Sequence, residues 1–358
     1  MRPNEKKLSY PKGDQLPEPG QAIEIADGVR WIRMPLPFAL DHINLWLLRD
    51  QIDGREGWTV IDCGVSRDQV KALWEEVFEN ALDGLPILRV VVTHMHPDHI
   101  GLAYWLCERW NAPMWITMTD YMTARLWSQS VSDVQSAGGP TGQSAVEHFT
   151  RHGLCDPGAQ ETIRQRGNYY PNLVPDVPKT FVRLMDGQRL LIGGREWRII
   201  VGYGHAPEHA SLYCDTLQVL ISGDMLLPRI STNISVFNYE PESNPLPLYL
   251  NSLRDYDSLP VNTLVLPSHG RPFQGMHERI SQQLTHHAEC LAEVLEACDQ
   301  PSSTMDMLPV IFKRELDVHQ LTFAMGEALA HLHALYFDGK LKRSVGDDGI
   351  IRFQRVAS

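Results

Sequence analysis

A histidine-rich segment, THMHPDHIG, directly follows the apolar run ILRVVV. We expect His94 and His96 to face the same side of a strand end, because side chains alternate along a strand. Pro97 favours the start of a helix, which would turn Asp98 and His99 back across the same loop. Neutral imidazole together with carboxylate suits zinc, iron or manganese better than calcium or magnesium. The segment therefore predicts a metal site.

Three further candidate ligands, His205, Asp224 and His269, each stand next to a glycine where a later apolar run ends. Loops at strand ends are where α/β folds carry their sites, so we expect these side chains to meet the first segment. His209 competes with His205, which lies four residues earlier. We prefer His205 because its GYGH context directly follows the apolar run.

The rest of the chain alternates short apolar runs with helical patterns, and this alternation predicts an α/β layer structure. The segment SRDQVKALWEEVFENAL predicts a helix with Ser66 as its N-cap. Within FVRLMDGQRLLIGGREWRIIVGYGH, the DG and GG dipeptides predict hairpin turns. His286 and His287 lie in a long helical pattern, where we expect them to be solvated.

We predict an extended arm over residues 1–21, a large α/β domain over 22–298 and a small module over 299–358. The module has the order helix, helix, β-hairpin, which is the outline of a winged helix. Residues 128–178 are rich in Gly, Pro and polar residues and interrupt the α/β pattern. This excursion is either a lid over a site or a decorative insertion.

The net charge limits the kinds of binding partner that we expect. A net charge of −12 disfavours nucleic acid and anionic lipid, and residues 301–358 carry seven Lys/Arg against seven Asp/Glu. We therefore expect the module to be a packing or dimerisation element, with a homodimer left open.

Six scattered cysteines without a CxxC pair predict reduced thiols in a cytoplasmic protein. The sequence has neither an apolar leader nor a run of 18 apolar residues, so we expect no membrane partner.

The segments THMHPDHIG, GH, SGDM and SHG together resemble the metallo-β-lactamase fold superfamily over about residues 22–275. The resemblance implies an α/β fold, the four-layer αββα sandwich, with a two-metal site at one edge. It implies that the first metal is held by His94, His96 and His205, the second by Asp98, His99 and His269, and that Asp224 bridges them. Asp62 in IDCG matches the Asp-x-Gly turn of the family, which supports the ligands from behind.

Differences at a few positions show which branches of the superfamily this sequence resembles less. All seven ligand positions are glyoxalase II-like, although the segment after Asp224 lacks that group's Gly-Cys-Gly. His99 and Asp224 argue against the common zinc β-lactamases, which lack the former and have Cys at the latter. Leu227 stands where quorum-signal lactonases have Tyr. The closest likeness is to the branch with a C-terminal winged helix, which includes lactamase-β-like endoribonucleases and acyl-carrier thioesterases.

The resemblance implies a hydrolase in which two divalent metal ions, zinc first with iron or manganese as alternatives, activate a hydroxide. The expected substrate is a small-molecule thioester or ester of the acyl-CoA, acyl-carrier or glutathione type. A lactonase, a single-stranded RNA endonuclease and a mononuclear iron persulfide dioxygenase remain alternatives. Asp98 and Asp224 are the expected catalytic carboxylates, with Asp98 accepting a proton from the nucleophilic water. We expect Arg229 to contact a substrate anion, and His209 to support a ligand or face the substrate.

Overall fold

The computed structural model describes residues 7–38, 40–128, 142–165 and 169–357. Within these ranges two large β-sheets pack face to face and carry helices on their outer faces, and a two-stranded sheet lies near the C-terminus. This arrangement confirms the predicted α/β fold, an αββα four-layer sandwich.

The first sheet has seven strands in chain order. Its first four strands are antiparallel, and the strands from the fourth to the seventh run parallel. The strands are β1 (Ile23–Ala26), β2 (Val29–Pro35), β3 (His42–Ile52), β4 (Arg55–Ile61), β5 (Ile87–Val91), β6 (Met114–Thr117) and β7 (Val182–Leu184).

The second sheet has five strands, which also follow one another in chain order. Its last two strands are parallel and the others are antiparallel. The strands are β8 (Arg189–Ile192), β9 (Arg195–Gly202), β10 (His209–Cys214), β11 (Val219–Gly223) and β12 (Leu264–Pro267).

Helices connect and cover the sheets. Those between β4 and β7 are α1 (Asp68–Asn80), α2 (Pro97–Ile100), α3 (Ala103–Trp110), α4 (Met118–Ser128), α5 (Gly142–Arg151), α6 (Pro157–Gln165) and α7 (Tyr169–Leu173). The later helices are α8 (Pro245–Arg254), a 3₁₀ turn (Asp255–Ser258), α9 (Met276–Ala297), α10 (Thr304–Ile311) and α11 (Val318–Phe337). They are followed by the hairpin of β13 (Leu341–Val345) and β14 (Ile351–Arg355).

The buried apolar side chains form three layers. One lies between the two sheets and includes Trp46 and Leu212. A second joins the first sheet to α1, α3 and α7 and includes Trp74. The third joins the second sheet to α8 and α9, and continues into α5, α6, α10 and α11. Burial of these layers is the main favourable term that holds the two sheets together.

The C-terminal elements follow the predicted order helix, helix, hairpin. Their apolar side chains, such as Leu329 and Phe353, belong to the same buried cluster as Phe149 of α5. The excursion and the C-terminal module therefore pack on each other. The boundaries predicted at 21/22 and 298/299 remain predictions.

Three local predictions were wrong. The first helix begins at Asp68 after Arg67, so Ser66 is not its N-cap. The DG dipeptide does not close a hairpin, because β7 belongs to the first sheet and β8 to the second. His287 is fully buried, because α11 covers that face of α9. Its Nδ1 lies 3.2 Å from Nε2 of His331.

The predicted arm and excursion are described in part. Residues 1–6 of the arm lie outside the described residues, whereas Ser9 pairs with Gln274 beside the end of β12. Residues 129–141 and 166–168 of the excursion also lie outside them, so the lid interpretation stays a prediction. No helix in the described ranges is both long enough and apolar enough to cross a bilayer.

Candidate metal centre

The predicted ligands meet at one edge of the sandwich, in the segments that follow β5, β9, β11 and β12. The prediction that His94 and His96 end a strand was wrong, because β5 stops at Val91. The backbone N–H of Thr93 instead donates to Oδ1 of Asp62, 2.8 Å away, which turns the chain out of the ladder. The two histidines therefore converge from a loop.

The first group of potential ligands contains His94, His96, His205 and Asp224, with one ligand atom from each within 4.8 Å of the others. Nδ1 of His96 lies 2.8 Å from Nε2 of His94 and 3.1 Å from Nε2 of His205. Nε2 of His205 lies 3.3 Å from Oδ2 of Asp224. One small volume thus receives three imidazole nitrogens and a carboxylate oxygen.

The outer nitrogens of this group have their own partners. Nδ1–H of His205 donates to the carbonyl oxygen of Asn233 at 2.8 Å. Nδ1 of His94 lies 3.0 Å from the hydroxyl oxygen of Thr93, which itself donates to Asp62 at 2.9 Å. These partners assign the proton to Nδ1 of both histidines, so that their Nε2 lone pairs face each other. A divalent cation between them would remove that repulsion.

The second group contains Asp98, His99 and His269. Nε2 of His269 and of His99 lie 3.4 Å and 3.7 Å from Oδ2 of Asp98. Nδ1–H of His99 donates to Asp62 at 2.7 Å, and Nδ1–H of His269 donates to the carbonyl oxygen of His42 at 2.8 Å. Both rings therefore direct Nε2 at the carboxylate, in the orientation that a metal ligand requires.

Asp224, a member of the first group, also contacts the second group. Its Oδ2 is 3.6 Å from Nε2 of His99, and its Oδ1 is 3.4 Å from Nε2 of His269. Among the described residues, Oδ1 of Asp224 and Nε2 of His99 are buried without a hydrogen-bond partner. Buried polar atoms are rarely left in this way, and a cation would satisfy both of them. The donor set, imidazole with carboxylate, fits a divalent transition metal.

The protonation of the histidines differs between the two groups. Burial and neighbouring histidines hold the pKa of His94 well below its usual range, and burial lowers the pKa of His96 to about 3. Burial also opposes the charged form of His269, but Asp224 and Asp98 outweigh it and raise its pKa to about 10. Imidazole must be neutral to bind a metal, so protons and metal compete for the second group.

Asp62 and His209 lie behind the two groups, as the sequence allowed. Asp62 has a φ of 63° and accepts from both Thr93 and His99. His209 is fully buried at the start of β10, and its Nε2 accepts from the backbone N–H of Asp224 at 3.1 Å. The structure therefore places His205 in the first group, and His209 against the backbone of Asp224.

The remaining predicted residue, Arg229, is exposed in the segment after β11. It follows Pro228, whose ring packs close to Gly270, next to His269. The backbone at Arg229 thus lies near His269 of the second group. Sequence reasoning missed the supporting roles of Thr93, His42 and Asn233. Two of the three act through a backbone carbonyl, which has no residue-type signature.

Two family descriptions match the chain. Residues 39–269 match the metallo-beta-lactamase superfamily, and this match covers more than half of the chain. Residues 291–356 match a C-terminal domain described as metallo-beta-lactamase-like.

Similar proteins span almost the whole chain. A crystal structure of a beta-lactamase domain protein from Burkholderia ambifaria has 53% identity and a TM-score of 0.92, and the match covers 98% of this chain and 99% of that one. A metallo-beta-lactamase family protein from Thermus thermophilus has 26% identity and a TM-score of 0.74, covering 93% and 100%. The probable metallo-hydrolase YqjP of Bacillus subtilis (strain 168) is 24% identical over 315 residues, covering 85% of this chain and 91% of YqjP.

Proposed function

Because this chain belongs to the metallo-beta-lactamase superfamily, we propose that it hydrolyses a thioester or ester of a small molecule with a pair of metal ions. The chain is a metallo-hydrolase of that superfamily. The observation that carries the finer proposal is the pair of His/Asp groups that share the carboxylate of Asp224. The proposed ligand set is glyoxalase II-like, with seven side chains.

In the proposed site, His94, His96 and His205 hold one metal and Asp98, His99 and His269 hold the other, with Asp224 between them. Two divalent cations, zinc first with iron or manganese as alternatives, would lower the pKa of a water molecule to about 7 and polarise the carbonyl oxygen under attack.

The carboxylates and their supports then have separate tasks. Asp98 is the proposed acceptor for the proton that the nucleophilic water loses, since its carboxylate faces the centre of the second group. The water oxygen forms a bond to the acyl carbon and the acyl–sulfur or acyl–oxygen bond breaks. The proton held by Asp98 passes to the leaving sulfur or oxygen, so the products are a carboxylic acid and a thiol or alcohol. Asp62 and His209 hold His99 and the backbone of Asp224 in place during this reaction.

An aromatic surface next to the first group supports an acyl substrate. The ring of Trp127 lies 5.3 Å from Tyr170 and 5.0 Å from Tyr239, which stacks on Phe237 at 5.3 Å. Tyr170 donates a hydrogen bond to the carbonyl oxygen of Met95, the residue between His94 and His96. Aromatic rings bury large apolar areas, so this surface suits an apolar acyl chain.

An exposed arginine near the second group supports an anionic carrier. Arg229 is exposed beside the second group. Arginine is suited to binding phosphate through two parallel hydrogen bonds. We therefore favour Arg229 as a contact for a carrier phosphate of the CoA or acyl-carrier type.

Metal analysis followed by a substrate panel tests the proposal. The panel contains an acyl-CoA, an acyl-glutathione, a lactone and single-stranded RNA. We expect two metal ions per chain and thioester or ester hydrolysis. Asp98→Ala should lower kcat/KM by at least about 10²-fold, the scale of general-base catalysis. Asp347→Ala, at an exposed aspartate of the C-terminal module, is the control and should be unchanged.

Other outcomes of these experiments would favour the alternative functions. Full activity in Asp98→Ala would exclude the two-metal mechanism. Cleavage of RNA without thioester hydrolysis would favour the endonuclease alternative, and lactone hydrolysis alone the lactonase. One iron ion per chain with oxygen uptake would favour the persulfide dioxygenase.

A further inference from the structure

Asp120 connects the two loops that carry the histidines of the first group. It lies in the first turn of α4 and is fully buried. Its Oδ1 accepts from the backbone N–H of Met95 at 2.8 Å, and Met95 stands between His94 and His96. Its Oδ2 accepts from the backbone N–H of Glu208 at 2.7 Å, in the loop between β9 and β10 that contains His205.

The backbone carbonyl oxygens of Met95 and Glu208 also accept hydrogen bonds. The carbonyl oxygen of Met95 accepts from the hydroxyl of Tyr170 at 2.6 Å. The carbonyl oxygen of Glu208 accepts from the hydroxyl of Thr117 at 2.8 Å. Four hydrogen bonds therefore fix the backbone beside His96 and beyond His205, and two of them end on the single carboxylate of Asp120.

The surroundings of Asp120 are unusual for a buried carboxylate. In the described part of the chain, no Lys or Arg forms an ion pair with it, and its partners are two backbone N–H groups and, at 3.4 Å, the hydroxyl of Thr117. Burial raises its pKa to about 6. Burying a carboxylate without a cation is costly, so stability alone is a weak reason for its presence.

We propose that Asp120 is a positioning residue, which sets the distance between His96 and His205 and so the metal affinity of the first group. The proposal rests on the proposed function, because it needs a metal at that place. Partners of this kind, which orient the ligands, typically change metal affinity by about 10- to 100-fold when they are lost. Asp120 itself belongs to neither group of potential ligands.

Asp50 offers a matched control elsewhere in the same sandwich. It is also buried, and its carboxylate accepts from Arg89 of the first sheet and from the backbone N–H of Gly193 between β8 and β9. It lies eight residues along β3 from His42, whose carbonyl oxygen supports His269. At about 3.3 Å per residue this is about 26 Å from the site. Thr59 donates to Asp50 and provides a second, milder control.

The test compares Co²⁺ binding in two pairs of variants. Asp120→Asn keeps the size of the side chain but places an NH₂ group against one of the two N–H donors. Asp50→Asn does the same at the control position. Thr117→Val and Thr59→Val remove one hydroxyl each from the corresponding networks. Co²⁺ affinity is measured by competition with a chelator, and the geometry of the site by the visible Co²⁺ spectrum.

We expect Asp120→Asn to weaken binding of the tighter Co²⁺ by about 10- to 100-fold and to alter its spectrum. Thr117→Val should weaken binding by a smaller factor, and it decides the question if Asp120→Asn does not fold. Asp50→Asn and Thr59→Val should lower the melting temperature and leave Co²⁺ affinity unchanged.

The contrary results are distinguishable. Wild-type affinity and spectrum in Asp120→Asn, or in Thr117→Val where only that variant folds, would overturn the positioning role and leave the proposed function standing. Equal losses of affinity in Asp120→Asn and Asp50→Asn would also overturn it, because general destabilisation would then be the cause. A wild-type protein that binds no Co²⁺ would overturn the proposed function and this inference together.

Discussion

His205 and His209 stand four residues apart on either side of the start of a strand, and their side chains have different surroundings. His205 precedes β10, so its ring reaches the loop edge and its Nε2 faces His94 at 3.2 Å. His209 is the first residue of β10, so its ring enters the interior and accepts from the backbone of Asp224. The glycine-rich context favoured His205 in the sequence. The role of His209 depends on the backbone of Asp224 at the end of β11, which becomes its neighbour only in the folded sheet.

The buried position of His209 gives a prediction at the scale of one residue. His209→Leu removes the acceptor for the N–H of Asp224, so the carboxylate between the two groups should lose its fixed orientation. We expect metal affinity to fall by about 10- to 100-fold, measured by competition with a chelator. His152→Leu is the control, because His152 is also buried and contacts Thr304 instead of the site. Unchanged affinity in His209→Leu would contradict this role.

Helix α11 contacts the loop that supports His205. The backbone N–H of Val236 donates to the carbonyl oxygen of Gly326 at 3.2 Å. The side chain of Asn233 hydrogen-bonds Glu327, and the carbonyl oxygen of Asn233 accepts from His205. Gly326 is needed here because a Cβ at that position would lie 2.6 Å from the hydroxyl oxygen of Ser235. The C-terminal module thus forms part of the wall behind the first group.

Glu327 on this helix predicts how stability depends on pH. Burial raises its pKa to about 7, so the folded state holds a proton that the unfolded state releases near pH 4.5. The contribution of protonated Glu327 to the free energy of unfolding is therefore complete below pH 4.5 and is lost as the pH rises through about 7. Glu327→Gln stays neutral and keeps an acceptor for Asn233. Between pH 5 and pH 8, the wild type should lose about 2.5 kcal/mol of unfolding free energy relative to Glu327→Gln.

Urea unfolding of both proteins in the presence of a chelator measures this difference. Glu289→Gln, at an exposed glutamate of α9, is the control and should follow the wild type at both pH values. Parallel pH dependence of Glu327→Gln and the wild type would mean that Glu327 is already charged in the folded protein at pH 5.

The largest buried cluster crosses the predicted boundary between the α/β domain and the C-terminal module. It joins Tyr249 and Ile280 of the outer helices to Phe149 of the excursion and to Leu329 and Phe353 of the module. Elements that share one apolar core lose their burial together when any of them unfolds. The whole molecule is therefore expected to behave as one cooperative unit.

A single thermal transition of the metal-free protein is the corresponding prediction. All nine tryptophans lie between Trp31 and Trp197, so their fluorescence reports the α/β domain, whereas calorimetry reports the whole chain. The two midpoints should coincide, and the calorimetric enthalpy should equal the van't Hoff enthalpy. A calorimetric transition without a change in fluorescence would show that the module unfolds separately.

The family resemblance implied the αββα sandwich, whereas local patterns predicted an α/β layer structure, the C-terminal order helix, helix, hairpin, and the segments that meet at the site. They did so because ligand chemistry restricts residue types and because strand and helix periods restrict burial. The same patterns misplaced the DG turn and the exposure of His287, which depend on where β7, β8 and α11 lie in space.

The sequence by itself predicted which seven side chains bind metal, since imidazole and carboxylate clustered after apolar runs offer that chemistry. Tertiary structure alone decided which atoms face each other. Asp62, His209 and Asp120 act on backbone or ring atoms that are 15 or more residues away along the chain. Such contacts exist only once the two sheets have packed, because that packing brings the loops of both sheets to one edge.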